Sequence, residues 1–201
     1  GADPLLVGVL PTPGIAFMTQ NFHADAGIVI SASHNPFQDN GVKVFSRHGF
    51  KLSDSDEETI ERLALDKNLN RKGSSAADLG RPVLLAEAGR QYTDFLKSTF
   101  PGDLSMKGRT LVLDTANGAT HALAPEVFRE MGATVHVIHN HPDGININAR
   151  CGSQHTQDLE QEVLTKGAGL GLAFDGDGDR LIAVDEKGKK LTGDQILLIC
   201  A

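Results

Sequence analysis

Short apolar runs, each closed by a turn and followed by a helix-patterned stretch, recur along this chain, and that alternation restricts its fold more than any other feature. "LLVGVL" (5–10), "AGIVIS" (26–31), "VKVF" (42–45), "RTLVLD" (109–114), "ATVHVI" (133–138) and "GLGLAF" (169–174) have the length and composition of strands, most of them buried. Helical patterns lie between them. "IAFMTQNF" follows a Pro-Thr-Pro-Gly break. Residues 54–66 open with Ser and Asp cap candidates, and 87–100 carry Tyr92, Phe95, Leu96 and Phe100 at helical spacing. "HALAPEVFREMG" ends at Gly132, and "QDLEQEVLTKG" reads as a further helix. "LIAVDEKGKKL" reads as a hairpin turning at Lys187 and Gly188, and "GDQILLICA" opens a further helix. The pattern lapses over 67–82, "KNLNRKGSSAADLGRP", which reads as a linker. Strands separated by helices pair in parallel. The expected fold class is therefore α/β: two consecutive sandwich units with mostly parallel or mixed sheets, the first incomplete.

The core must be built from Leu, Ile, Val and Ala, because aromatics are 5% of the chain and tryptophan is absent. A formal net charge of −7 argues against non-specific nucleic-acid binding, which needs an electropositive surface. It leaves room for an anionic substrate in a small site of reversed sign. No apolar run approaches the roughly 20 residues that span a bilayer, and "GADPLLVGVL" lacks the basic start of a secretory leader. Cys151 and Cys200 lie far apart and read as free thiols in a reducing compartment. The expectation is a cytoplasmic protein with neither nucleic acid nor membrane as partner. The chain starts almost inside an apolar strand and stops inside an apolar helix, so both ends read as cut. The faces at "LLVGVL" and "ILLICA" would then suit a homodimer.

Open α/β sheets bind ligands beyond the carboxyl ends of their parallel strands. Two loops fall there. In "DGDGDR", Asp175, Asp177 and Asp179 alternate with Gly176 and Gly178. Three carboxylates this close repel one another and hold protons more tightly, unless a hard cation turns the repulsion into attraction. All-oxygen ligation favours Mg²⁺ or Ca²⁺ over zinc and would leave part of a Mg²⁺ shell open to water or phosphate oxygen. A solvated acidic turn is the plainer alternative. An EF-hand loop is excluded, because its sixth place is Arg180 instead of glycine and its flanks are strand-like. Arg180 could grip a phosphate through its planar fork or pair with a surface Glu.

The other loop, "SASHNPFQDNG", follows "GIVIS" and sets Ser33 in a turn with His34, Asn35 and Pro36. A hydroxyl so placed could be a covalent catalyst. Ser33 and Asn35 could equally be turn formers bonding their own backbone, and His34 a surface imidazole. The G-x-S-x-G elbow of hydrolases is absent. His136, His139 and His141 read as structural: His136 lies on a strand face and the others in the turn after it. "GAGLGLAF" has its glycines in the wrong order for a dinucleotide loop. "DTANGAT" (114–120) is a helix-opening turn near the site or simple turn chemistry.

"SASHNPFQDNGVK" and "FDGDGDR", in that order, resemble the paired motifs of the α-D-phosphohexomutases. Within that superfamily, "PDGININARCGSQH" (142–155) and "FDGDGDRLIAVDEKGKKLTGDQI" resemble the bacterial phosphoglucosamine mutases, and the similarity runs over essentially the whole chain. The resemblance implies a Mg²⁺-dependent isomerase on the route to peptidoglycan precursors. Its substrate is a small sugar phosphate, glucosamine 6-phosphate exchanged with glucosamine 1-phosphate through a 1,6-bisphosphate. It implies that Ser33 is the phosphorylated serine, and that Asp175, Asp177 and Asp179 hold Mg²⁺ together with a phosphate oxygen on Ser33. Arg180 and His34 match residues around the phosphoserine, Lys43 a lysine assisting proton transfer, and Ser31 a second loop serine. By the same resemblance 1–80 is the C-terminal part of domain 1 with the phosphoserine loop, 83–193 is domain 2 with the metal loop, and 194–201 starts a truncated domain 3. The family's Arg-Phe-Gly-Thr, Gly-Glu-x-Ser-Gly and Arg-x-Ser-Gly-Thr segments have no counterpart, so these 201 residues alone are expected to be inactive. The alternatives are a phosphomannomutase or phosphoglucomutase of the same superfamily, a metal- and phosphate-binding fragment without turnover, and a hydrolase using an Asp of the cluster as nucleophile.

Overall fold

The structure, a computed structural model, describes residues 2–66 and 80–201, so most of the expected linker lies outside the described residues. The first part of the chain forms β1 (Leu5–Leu6), α1 (Thr12–Asn21), β2 (Ala26–Ser31), β3 (Gly41–Ser46) and α2 (Asp54–Leu65). The second forms β4 (Val83–Leu84), α3 (Ala88–Ser98), β5 (Thr110–Asp114), α4 (Leu123–Glu130), β6 (Thr134–Ile138), α5 (Gln157–Lys166), β7 (Leu170–Phe174), β8 (Leu181–Asp185) and α6 (Gly193–Cys200).

The second part builds the layered sheet that the alternation predicts. Its order is β6-β5-β7-β8, with β5 parallel to both β6 and β7, and β8 returning antiparallel beside β7. Both faces are covered. Val112 packs with Leu159 and Val163 of α5 on one side, while Leu111 and Leu113 pack with Leu172 and Ala183 beneath Ala124 and Phe128 on the other. Two covered faces are the reason these strands read as continuous apolar runs. Gly167 ends α5 in the left-handed conformation at φ 58°, where a side chain would be strained. Leu159 is fully buried. Leu159→Ala should therefore lower unfolding stability by about 2–5 kcal/mol, read from the urea midpoint at unchanged slope.

In the first part the structure departs from the sequence reading in three places. The run 5–10 is extended only over β1, which pairs in parallel with β4 and leaves Leu5 and Leu6 largely exposed. Gly8, at φ 72°, turns the chain out of the strand before Pro11 caps α1. The Pro-Thr-Pro-Gly segment, read as a break, is instead the opening of α1, where a proline's missing N–H goes unneeded. Third, β2 is not the fully buried strand its composition suggested; it pairs antiparallel with β3, because the 32–40 connection carries only a 3₁₀ turn, Phe37–Asp39, and is too short for a crossover helix. Only one face of β2 is covered: Val29 is buried, while Ile28 and Ile30 are exposed.

A separate apolar cluster fastens the two parts together. Leu10 and Met18 meet Ala88, Tyr92 and Leu123, with Phe17 stacked on Phe95 at a centroid distance of 4.4 Å. This seam brings the carboxyl ends of β2 and β7 to the same edge of the molecule. Among the described residues no helix is long and apolar enough to cross a membrane.

Candidate active site and metal centre

Ser33 begins the turn after β2 in a conformation few side chains adopt, φ 54°. Local bonds shape that turn: the Ser33 N–H donates to Ser31 Oγ at 2.9 Å, and the Asn35 N–H to the Ala32 carbonyl at 2.9 Å. The outcome is that Ser33 Oγ donates to Asp177 Oδ1 at 3.2 Å, across 144 residues of sequence. Gly176 permits the approach. A Cβ there would stand 2.5 Å from the Ser33 carbonyl oxygen, so no other residue fits without moving the loop.

Asp175, Asp177 and Asp179 place carboxylate oxygens within 4.8 Å of one another. Asp175 forms the floor, fully buried. Its Oδ1 accepts the Arg180 N–H at 3.1 Å, whereas its Oδ2 has no hydrogen-bond partner among the described residues. Burial, then the neighbouring Asp177, push the Asp175 carboxyl up to about 7. Asp177 is also buried, which alone would raise its pKa, but the hydrogen bonds of Lys43 and Thr12 and the charge of Lys43 outweigh burial and hold it below the usual range. Asp179 is the rim, partly open to solvent. An orphaned buried oxygen in an all-carboxylate trio is the donor chemistry of a hard divalent cation, and the site fits Mg²⁺.

Lys43, on β3, reaches across the cleft to Asp177 Oδ2 and lies 3.4 Å from Asp179 Oδ2. Burial works to lower its pKa, but the hydrogen bond and charge of Asp177 and the charge of Asp179 prevail, so its ammonium stays protonated. Ser33 and Lys43 thus hold opposite oxygens of one carboxylate. His34 is half-buried, its Nδ1 shielded from solvent and unpartnered among the described residues, so it is not the surface imidazole of the plainer reading. Arg180 contributes its backbone to Asp175 while its side chain stays mostly exposed, 4.0 Å from Asp179. Between the two loops opens a cleft of about 250 Å³, lined by Ser31, Ala32, Asn117, His121, Asn146 and Asp177.

Two contributors were not singled out in the sequence. Thr12, at the start of α1, donates through Oγ1 to Asp177 Oδ2 at 2.8 Å and through its N–H to the Asp177 carbonyl at 2.8 Å. Asn148 donates to the carbonyls of Ser33 and Asn35. The available signal for Thr12 was its place after an apolar run at a helix start. For Asn148 it was an Asn in a turn-rich segment, a residue that tolerates the left-handed conformation it adopts at φ 57°.

Asp114, His139 and Cys151 also bring ligating atoms within 4.8 Å of one another, beneath this edge. Here the carboxylate oxygens already accept backbone N–H groups, Ala116 at 2.9 Å and Gly152 at 2.8 Å. Burial, then the charge of Asp114, push the Cys151 thiol up to about 12, so it stays protonated. The cluster fastens loops, in keeping with structural histidines. The contact with Asp114 raises the pKa of His139 above its ordinary 6.5 despite burial, and Asp158 adds to this. A raised pKa in the folded state gives stability that is complete below pH 6.5 and fades as pH rises through the raised value. His139→Gln should remove that fall, seen as a flatter stability profile above pH 6.5 in urea titrations at several pH values.

Residues 1–71 match the family described as phosphoglucomutase/phosphomannomutase, alpha/beta/alpha domain I, and residues 90–188 match its alpha/beta/alpha domain II. A phosphoglucosamine mutase of Syntrophobacter fumaroxidans is 62% identical over 200 residues, covering 100% of this chain and 44% of that protein. One from Syntrophus aciditrophicus is 56% identical, covering 100% of this chain and 45% of the relative. Among solved structures, a phosphoglucomutase/phosphomannomutase family protein of Burkholderia thailandensis superposes with a TM-score of 0.78 at 26% identity, over 100% of this chain and 44% of the other. The chain thus spans about half the length of the curated relatives it matches. With the family's first two domain patterns matched in order along one chain, and with a solved member sharing its fold, the chain belongs to the α-D-phosphohexomutase superfamily.

Proposed function

We propose that the full-length protein carrying this chain is a phosphoglucosamine mutase, an isomerase that interconverts glucosamine 6-phosphate and glucosamine 1-phosphate through a phosphoserine at Ser33. The observation that carries the reading is Ser33 Oγ at 3.2 Å from a carboxylate of the acidic trio, in a chain whose relatives of that name are 62% and 56% identical. In the forward direction the P–Oγ bond of phosphoserine breaks as a bond forms to the oxygen of the free sugar hydroxyl, whose proton is replaced by the phosphoryl group while Ser33 Oγ gains one, so that the net exchange leaves a serine hydroxyl and a second sugar phosphate. The resulting 1,6-bisphosphate turns over in the cleft, and its other phosphoryl group returns to Ser33.

The residues divide the work. Ser33 is the phosphoryl acceptor and donor, aimed by the turn that Ser31 and Asn35 shape. Lys43 brings a protonated ammonium to the same edge, where it offsets negative charge on the transferring group and supplies a proton to the departing serine oxygen. Arg180 and His34 are the candidates to hold phosphoryl oxygens, Arg180 through its exposed fork and His34 through its unpartnered Nδ1. Asp175, Asp177 and Asp179 would hold Mg²⁺ with an oxygen of the Ser33 phosphate. When bound, the ion neutralises charge on the transferring phosphoryl group. The parts of the cleft that choose the sugar lie outside this chain in the proposed arrangement, so these 201 residues alone should bind the ion without turnover, in the cytoplasm of the source cell.

Steady-state kinetics of the full-length protein on glucosamine, glucose and mannose phosphates test the substrate. A kcat/KM highest for glucosamine 6-phosphate is the expected result. A preference for glucose or mannose phosphate makes the protein a phosphoglucomutase or phosphomannomutase of the same superfamily.

A further inference from the structure

We infer that Asn148 is a positioning residue: from the second part of the chain, it holds the Ser33 loop in the one conformation that aims the serine hydroxyl at the acidic trio. The inference rests on the proposed phosphoryl-transfer role of Ser33. The left-handed backbone at Ser33 is unfavourable for a residue with a Cβ and persists only if its surroundings enforce it. Within the loop itself, bonds from Ser31 and Ala32 shape the turn but leave the Ser33 and Asn35 carbonyls to be satisfied from outside. Asn148 does this with one amide group. Its Nδ2 donates to the Ser33 carbonyl at 2.9 Å and to the Asn35 carbonyl at 2.8 Å, spanning more than a hundred residues of sequence.

The clamp is itself built on rigid ground. The Asn148 N–H donates to the carbonyl of Ala116 at 2.9 Å, and Asn117 Nδ2 to that of Asn146 at 3.4 Å. Gly152 is tied by its N–H to Asp114 at the end of β5 at 2.8 Å. On its other side the Ser33 carbonyl rests against Gly176, where a Cβ would stand 2.5 Å from that oxygen and 2.8 Å from Asn148 Nδ2. The Ser33 peptide is therefore held between the metal loop and the 146–152 loop. Only a side chain offering two N–H donors and no charge suits the place. An Asp would turn an acceptor towards two carbonyl oxygens, and an Ala would leave both unpaired.

The test uses the full-length protein with Asn148→Ala and Asn148→Asp variants and three readouts. These are phosphorylation of Ser33 by glucosamine 1,6-bisphosphate (followed by intact mass), steady-state kinetics, and hydrogen–deuterium exchange of the peptide covering 31–36. Asn148 is partly exposed and lies outside the apolar clusters, so Tm should stay within about 2 °C of wild type. We expect Asn148→Ala to lower kcat and the phosphorylation rate about 10- to 30-fold, with KM within about twofold and faster exchange in 31–36. Asn148→Asp should lower them further. Turnover within about threefold of wild type and unchanged exchange in 31–36 would overturn the inference, as would losses that simply track a falling Tm. If the wild-type protein never takes a phosphoryl group on Ser33, the proposed function fails, and the exchange measurement still decides whether Asn148 holds the loop.

Discussion

Replacing Ser33 with alanine in the full-length protein should lower phosphohexomutase turnover by about a thousandfold or more, because the group proposed to accept and return the phosphoryl would be gone. The fold should survive. Ser33 is half-buried at the cleft edge, and among the described residues its hydroxyl makes one hydrogen bond, to Asp177. Intact mass after incubation with glucosamine 1,6-bisphosphate should show one added phosphoryl group in wild type and none in Ser33→Ala. A variant that still takes the label, lost under the mild alkaline or nucleophilic treatment that cleaves acyl phosphates, would point to a carboxylate nucleophile and a hydrolase-like reaction. Ser33→Thr should not restore the rate, since a branched Cβ is poorly tolerated at φ 54°.

The second large effect belongs to Asp175. Its carboxyl is fully buried, with one oxygen unpartnered, and its neighbours are two further carboxylates. Ionising it there is costly unless a cation is bound, which is why its pKa rises to about 7. Two opposite outcomes follow from one substitution. Asp175→Asn should stabilise the metal-free chain by about 1–3 kcal/mol at pH 8, where the wild-type carboxyl is forced to ionise. It should also abolish the rise in Tm expected of the wild-type chain with Mg²⁺, through preferential binding of the ion to the folded state. In the full-length protein the same variant should lose about a hundredfold or more in kcat. Thermal unfolding with Mg²⁺ and with a chelator reads the first two effects. A variant that is less stable than wild type without metal, yet still stabilised by Mg²⁺, would contradict this view of the trio.

The parts of this account that were legible in the sequence are those set by local pattern. β5, β6 and β7 are covered on both faces and announced themselves as unbroken apolar runs, and the helix read at "QDLEQEVLTKG" is α5. The run at 5–10 misled for a physical reason. Apolar composition shows that a segment can be covered, but not whether a partner strand runs along its whole length, and here the pairing ends at Leu6 before the turn at Gly8. Likewise, the apolar run of β2 read as a buried strand, while in the structure only one of its faces is covered. The length of the 32–40 connection, itself readable, forbade a crossover helix.

The candidate site divides along the same line. Ser33, Lys43 and the three aspartates stood in two motifs, and the structure brings these residues to one edge. Thr12 and Asn148 were invisible because their meaning lies in contacts across 165 and 115 residues, and neither has a spacing or a chemistry that marks it in isolation. Arg180 was singled out for its guanidinium; in the structure its backbone N–H also donates to Asp175, while the guanidinium lies 4.0 Å from Asp179. A sequence names side chains more readily than main-chain donors.

The central claim, that the Ser33 loop and the acidic trio serve one bound ion, is most directly tested by loading the phosphorylated full-length protein with Mn²⁺ in place of Mg²⁺. Electron–nuclear double resonance then reads any phosphorus bonded to the ion through oxygen. The account predicts a strong ³¹P coupling that disappears in Ser33→Ala and, with the ion itself, in Asp175→Asn. Tight Mn²⁺ binding to the trio, with Ser33 fully phosphorylated and no ³¹P coupling, would contradict it.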